Sequence, residues 1–361
     1  MKEILTSKPH WVVWLGSKNS WDNNLINKKD SSIYQTYRWG NYSKIKGWRV
    51  IRLVLYENKD VACLAQVLFK KIITGVGVAW IPGGPVGSVN YWNDDLRKII
   101  KEQTGLYLMY IRIFPMREFC NHDVKNLGGN GWFKARPTLY SGESLFYHPQ
   151  LSEENRILQS SKNWRHNVRR CHKNDKNVIE VWQEPNIEEI FKLYREMEKN
   201  KQIPQQYSLL QIKYVLENYK DNCLIVKCED RNGNLLAIRG ALIFGRKGWD
   251  TFAATTNIAR KNYSSYGVFW ELMKQCSIRG VEWYDMGGVD KKNNKGVFDF
   301  KKGSGAIEFN YLGEWDYSRP LIFLSFFRTL VKSKNLFSKI IFSLNNKFKS
   351  SLWSKICVKR I

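Results

Sequence analysis

Three segments of this chain carry residue types at spacings that could do chemistry. Tyr284-Asp-Met-Gly-Gly288 reads as a strand ending in paired glycines, where the backbone turns sharply or approaches a bound molecule closely because no Cβ stands in the way. Shortly after it, Phe300-Lys-Lys-Gly303 sets Lys301 and Lys302 between an aromatic residue and the glycine-rich Gly303-Ser-Gly305. A lysine in such a frame can stabilise a developing oxyanion. Asp285, with Asp290 as the alternative, is the nearby carboxylate that could assist an attacking amine. The third segment, Asn163-Trp-Arg-His-Asn-Val-Arg-Arg-Cys-His-Lys173, spaces Arg165, Arg169 and Lys173 four residues apart, with Arg170 beside them. That spacing puts like charges on one helical face, where they repel unless an anion such as phosphate neutralises them. The plainer readings stay open at this level: an ordinary turn, surface lysines and a solvated basic face.

Other chemistries find no support. The sequence has no G-x-x-x-x-G-K-[ST], no H-E-x-x-H and no C-x-x-C, and Gly75-Val-Gly77 lacks the third glycine of a dinucleotide fingerprint. Cys120 with His122 and Cys171 with His172 are single couples without a matching second pair, so no metal site is expected. The expectation is a site that works without a cofactor.

These segments need a scaffold, and its grammar is legible. Residues 48–56, 61–69 and 76–81 read as strands, Pro82-Gly-Gly-Pro85 as a turn, Asp94 to Gln103 as a helix closed by Gly105, and Leu106 to Ile113 as a strand. The pattern recurs later: a helix capped at Asn186, strands at Cys223–Cys228, 235–244 and 249–255, a helix near 266–278 closed by Gly280, and a strand from Val281 to Met286. Two mixed αβ halves predict an internally duplicated fold, with a first domain at 1–145 and a second, carrying the site, at 146–317. Residues 318–361 are different in kind. No acidic residue follows Asp316, while basic residues from Arg319 to Arg360 alternate with Phe, Ile and Trp. Such a tail suits either an interfacial helix on anionic lipid or an ordinary solvated helix.

With 361 residues, 43% hydrophobic and 15 Trp, the chain can build large cores. A net charge of +25 favours polyanionic partners, whether nucleic acid, an acidic membrane face or a phosphorylated substrate. Seven scattered Cys suit a reducing compartment. Neither the apolar patch Trp11 to Gly16 nor Leu321 to Phe327 is long enough to cross a bilayer or makes a cleavable leader, so a cytoplasmic location is expected, with peripheral contact at an anionic membrane.

The order of segments resembles the Fem family of peptidoglycan interpeptide-bridge aminoacyltransferases, relatives of the GNAT acyltransferases. The resemblance is carried by Tyr284-Asp-Met-Gly-Gly288, Phe300-Lys-Lys-Gly303 and Tyr311-Leu-Gly-Glu-Trp-Asp316, and by the helix Trp164-Arg-His-Asn-Val-Arg-Arg170. In the first half Ile33-Tyr-Gln-Thr-Tyr-Arg-Trp39 and Trp80-Ile-Pro-Gly-Gly-Pro-Val86 look like the family's entry segment and turn. The resemblance implies two tandem GNAT-like domains, an aminoacyl-tRNA donor and an amine of a phosphorylated or lipid-linked envelope precursor as acceptor. Phe300 and Lys301 match the pair that handles the aminoacyl end, Gly287 and Gly288 are candidate substrate-binding backbone, and Lys44 falls near a position that contacts precursor phosphate. Two positions depart from the pattern. Phe114 in Arg112-Ile-Phe-Pro115 stands where the family has a carboxylate, and Asn200 lies where an arginine is expected. They widen the acceptor from a peptidoglycan lysine to an envelope amine.

An aminoacyl ester is already activated, so its transfer needs positioning, proton removal and oxyanion stabilisation rather than a metal or nucleotide. The competing readings are an acyl-CoA-dependent N-acyltransferase acting on a sugar nucleotide or lipid-linked sugar, and an inactive protein that docks tRNA or membrane.

Overall fold

A computed structural model describes residues 9–174 and 176–333 of the chain. The basic positions from Lys334 to Arg360 lie outside them.

Strand-forming runs rich in Val, Ile, Leu and aromatics assemble into two sheets of seven strands each. The first is built from β1 (Trp11–Val13), β2 (Arg49–Glu57), β3 (Asp60–Ile73), β4 (Val76–Pro82), β5 (Leu108–Phe114) and β6 (Phe133–Lys134). The second is built from β7 (Glu143–Tyr147), β8 (Val178–Val181), β9 (Cys223–Glu229), β10 (Leu235–Phe244), β11 (Lys247–Thr255), β12 (Trp283–Gly288) and β13 (Ile307–Asn310). A last strand, β14 (Trp315–Arg319), returns to the first sheet, whose order is β1-β2-β3-β4-β5-β14-β6 against β8-β9-β10-β11-β12-β7-β13 in the second. Pairing sense repeats as well. Each sheet has one parallel pair, β4 with β5 and β11 with β12, and antiparallel pairing elsewhere.

The boundaries read from sequence are crossed at both ends. After its parallel pair each half supplies two more strands, β6 and β7 or β13 and β14, and the sixth place in each sheet is filled by the other half's final strand. Strand β7 straddles residue 145, and β14, counted in sequence with the second domain, belongs to the first sheet. The two halves are therefore buttoned together by an exchanged strand.

Each parallel pair is joined through a helix. Asp94–Thr104 starts where Asn93 accepts the Asp95 amide, carries Asp94 and Asp95 in its first turn, and ends at Gly105 with φ 66°. Its Leu96 and Ile100 pack on Val67, Ile81, Ile111 and Ile113. In the second half Ser264–Ile278 buries Phe269, Leu272 and Met273 against Val226, Ala237 and Ala241. The other face of this sheet is covered by Ile187–Lys201, capped by Asn186 as expected, and Leu209–Asn218. Ile33 of the first half sits in that same core with Ile190, Ile212 and Phe252. Chain 321–333 is helical, and Leu324 and Phe327 pack on Tyr110 of the first sheet.

Candidate active site

The parallel pair of the second sheet is short. β11 and β12 are in register only from Lys247 with Trp283 to Trp249 with Asp285; beyond that β11 follows β10 while β12 moves onto β7, where Gly288 faces Ser144. The strands part and leave a wedge. Close to where it opens, Asp250 takes a bidentate pair from Arg239, at 2.8 and 2.6 Å, and a bond from the Tyr284 hydroxyl at 2.9 Å. Bidentate geometry is what allows a charge pair to persist out of water.

Lys301 reaches this wedge from the helix Lys295–Gly303. It is only 6% exposed, and its ammonium donates to the carbonyls of Gly287 and Gly288 at 3.0 Å each. Gly287 holds φ 77°, a left-handed turn that lets two successive carbonyls face one cation. Burial pulls the Lys301 ammonium below its ordinary range; nearby Arg239 adds to this, while Asp250 and Asp285 oppose it. An ammonium has three donors, so one N–H is left without a partner among the described residues.

Asp285, also buried, accepts from the Gly287 amide at 2.8 Å, the Tyr311 hydroxyl at 2.5 Å and the Ser144 hydroxyl. Burial pushes its carboxyl up from the usual range, and the three donors work against that shift. Ser144 lies on the exchanged strand β7, and Tyr311 on the link to the exchanged strand β14. The strand exchange thus supplies two of the three donors that hold Asp285.

From Tyr311 an aromatic wall runs into the first half. Phe114 stacks on Tyr140 with centroids 4.6 Å apart and meets Tyr311 edge-on at 5.6 Å, and Trp80 stands 6.3 Å from Tyr140. Burial raises the Tyr34 phenol, and Tyr140 and Asp285 are close enough to raise it further. The position where the resemblance implies a carboxylate is therefore an apolar part of this wall.

Among the residues singled out from the sequence, Asp285, Gly287, Gly288 and Lys301 come together here. Phe300, next to Lys301, packs on Tyr266 at 5.1 Å and Trp164 at 6.0 Å, and its ring lies 5.5 Å from the Arg239 guanidinium. Lys302 does not join them: it is solvent-exposed and pairs with Glu308 at 3.2 Å. Neighbours on a helix diverge by about 100°, so burying Lys301 turns Lys302 out. Asp290 is exposed and binds the amides of Lys292 and Asn293 in its own turn.

The basic helix exists, as Lys162–Lys173, but its cations disperse. Arg165 donates to the carbonyls of Ile157 and Ser160, closing the preceding helix. Arg170 donates to the Tyr263 hydroxyl at 2.6 Å, and Arg169 and Lys173 are exposed. Lys44 is exposed in the last turn of Tyr37–Ile45.

Other motif residues turn out to be braces. Gln35 bonds the Pro82 carbonyl and accepts the Gln66 amide, while Cβ atoms at Gly83 or Gly84 would strike Ser32 or Gln35. In Tyr311-Leu-Gly-Glu-Trp-Asp316, Glu314 and Asp316 both take Arg112, at 2.9 and 2.8 Å, and Glu314 also accepts the Leu139 and Tyr140 amides. Arg239, Asp250, Ser144 and Tyr34 were given no role from sequence. A charged residue inside an otherwise apolar strand, such as Arg239 in Leu235–Phe244, was the available signal.

The fold is that of a tandem GNAT-like protein whose second half holds the candidate wedge. A tandem GNAT protein from the clavulanic acid biosynthesis pathway superposes with a TM-score of 0.53 at 6% identity, over 86% of this chain and 98% of its own. A crystal structure of FemX aligns with a TM-score of 0.77 at 14% identity, over 88% of this chain and all of that one. The FemAB family pattern matches residues 186–330. A curated protein of Staphylococcus haemolyticus (strain JCSC1435), named Lipid II:glycine glycyltransferase, is 25% identical over 165 residues, 40% of this chain and 39% of that protein. Residues 186–330 are thus similar to the FemAB family, and the chain spans about two fifths of the length of the curated relative it matches.

Proposed function

We propose that this protein is an aminoacyltransferase that moves an amino acid from aminoacyl-tRNA to an amine of a lipid-linked or otherwise phosphorylated cell-wall precursor. The observation that carries the reading is the buried Lys301, with one N–H to spare, at a wedge bordered by an aromatic wall. The relative from Staphylococcus haemolyticus, by its name a lipid II glycyltransferase, supports the substrate class.

The acceptor amine attacks the ester carbonyl of the donor, and the tetrahedral oxyanion takes the free N–H of Lys301. The C–N bond forms as the ester C–O bond breaks, and the amine proton leaves with the terminal ribose oxygen. Asp285 is held by three donors, so its part is to position Gly287 and to balance the charge of Lys301. Phe300 shields the Arg239–Asp250 pair and borders the aminoacyl end. Work at the inner membrane face would follow from a lipid-linked acceptor.

The test is to incubate the purified protein with charged tRNA and envelope precursors and weigh the products. Addition of an aminoacyl mass to the precursor is expected. Addition from acyl-CoA but not from charged tRNA would move the protein to the competing class of N-acyltransferases, and binding of tRNA without turnover would leave only a docking role.

A further inference from the structure

We infer that the edge of the first sheet farthest from the wedge is a docking face for an anionic lipid bilayer. This deepens the reading above, on which the acceptor is lipid-linked.

The helix spanning 321–333 has two apolar sides. Leu324 and Phe327 face the sheet, but Ile322, Phe326 and Leu330, four residues apart, form a second stripe that is exposed at 75, 54 and 44%. A helix that has finished packing has no use for a second apolar stripe. Other exposed apolar residues lie at the end of the sheet from which this helix departs: Ile72 and Ile73, 55 and 65% exposed, close β3 beside its turn into β4, and Tyr107, 72% exposed, lies against Gly75 of that turn.

Cations surround these residues. The Lys101 ammonium stands 5.8 Å from the Tyr107 ring, and Lys71 approaches Gly105. A cavity of about 660 Å³ between Tyr107 and Leu321 has Lys101 and Arg319 in its lining and no carboxylate. Lys332 follows on the helix, and no Asp or Glu occurs after Asp316. Charge decides among the occupants. Residues 334–361 carry only cations, so the chain's own end would be repelled from this face, as would a second copy presenting the same face. An apolar centre within a basic rim matches anionic headgroups over acyl chains.

The position also fits the chemistry. This edge holds the start of β5 at Leu108, whereas Phe114 at its other end belongs to the wall beside the wedge. Seven extended residues span about 20 Å. Docking here would hold the transfer site more than about 20 Å above the headgroups, within reach of a saccharide–peptide stem on a lipid anchor.

The full chain should be sedimented with phosphatidylcholine vesicles with and without phosphatidylglycerol. Binding is expected only with the anionic lipid, and Ile322→Ser with Phe326→Ser should weaken it by about tenfold or more. Lys71→Glu with Lys101→Glu should weaken it comparably. Unchanged thermal midpoints and unchanged transfer to a soluble acceptor fragment would separate loss of docking from loss of fold or of activity. Undiminished sedimentation of both double variants, equal binding to neutral vesicles, or a dimer in solution that the stripe variant dissolves would each overturn the inference.

Discussion

The parallel strand pairs at the centres of the two sheets differ in how far they stay together. β4 and β5 run in register over seven residues, from Val76 with Leu108 to Pro82 with Phe114. β11 and β12 do so over three and then diverge. The closed pair is locked at its end by Arg112, which spans Glu314 and Asp316 at the foot of β14. The open pair has Lys301 and the carbonyls of Gly287 and Gly288 where continued pairing would lie. The two sheets follow one plan, and one of them has an opening lined by backbone carbonyls and a cation. The other became a wall.

The comparison can be broken at the lock. Arg112→Met would leave Glu314 and Asp316 buried without their main countercharge and should cost about 3–5 kcal/mol. The readout is the urea midpoint; a loss below about 1 kcal/mol would mean that the exchanged strand is held otherwise.

At the open pair, Lys301→Met keeps the stem and removes the charge, and should lower kcat for transfer about 10²–10³-fold. Lys302→Met should stay within about twofold, because an exposed pair contributes little. Equal effects of the two substitutions would contradict the division of roles between buried and exposed lysine.

A smaller effect sharpens how the halves are joined. Lys247, at the start of β11, donates to the carbonyls of Lys29 and Ser31 in the first half. Burial lowers its ammonium to about 8 from 10.5. Between about pH 8 and pH 10.5 the folded chain has released a proton that the unfolded chain still holds, so stability should rise with pH across that window, by about 1–2 kcal/mol after allowance for solvent screening. Lys247→Met should flatten the slope measured by urea unfolding.

Much of this molecule was legible in its residues. Gly105 and Asn186 marked helix ends because capping is local chemistry, satisfied within a few residues. Asp285, the paired glycines and the two lysines were singled out by type and spacing, and the structure brings Asp285, Gly287, Gly288 and Lys301 together. The strand exchange did not. β7 and β14 are both short strands with polar and apolar residues mixed, and nothing within either says which sheet, more than a hundred residues away in sequence, it will complete. Likewise, two adjacent lysines are equal on paper. Only the packing of Lys295–Gly303 beside β12 turned one into a buried donor and left the other in water, because which face of a helix is covered is decided by what it meets and not by the helix itself.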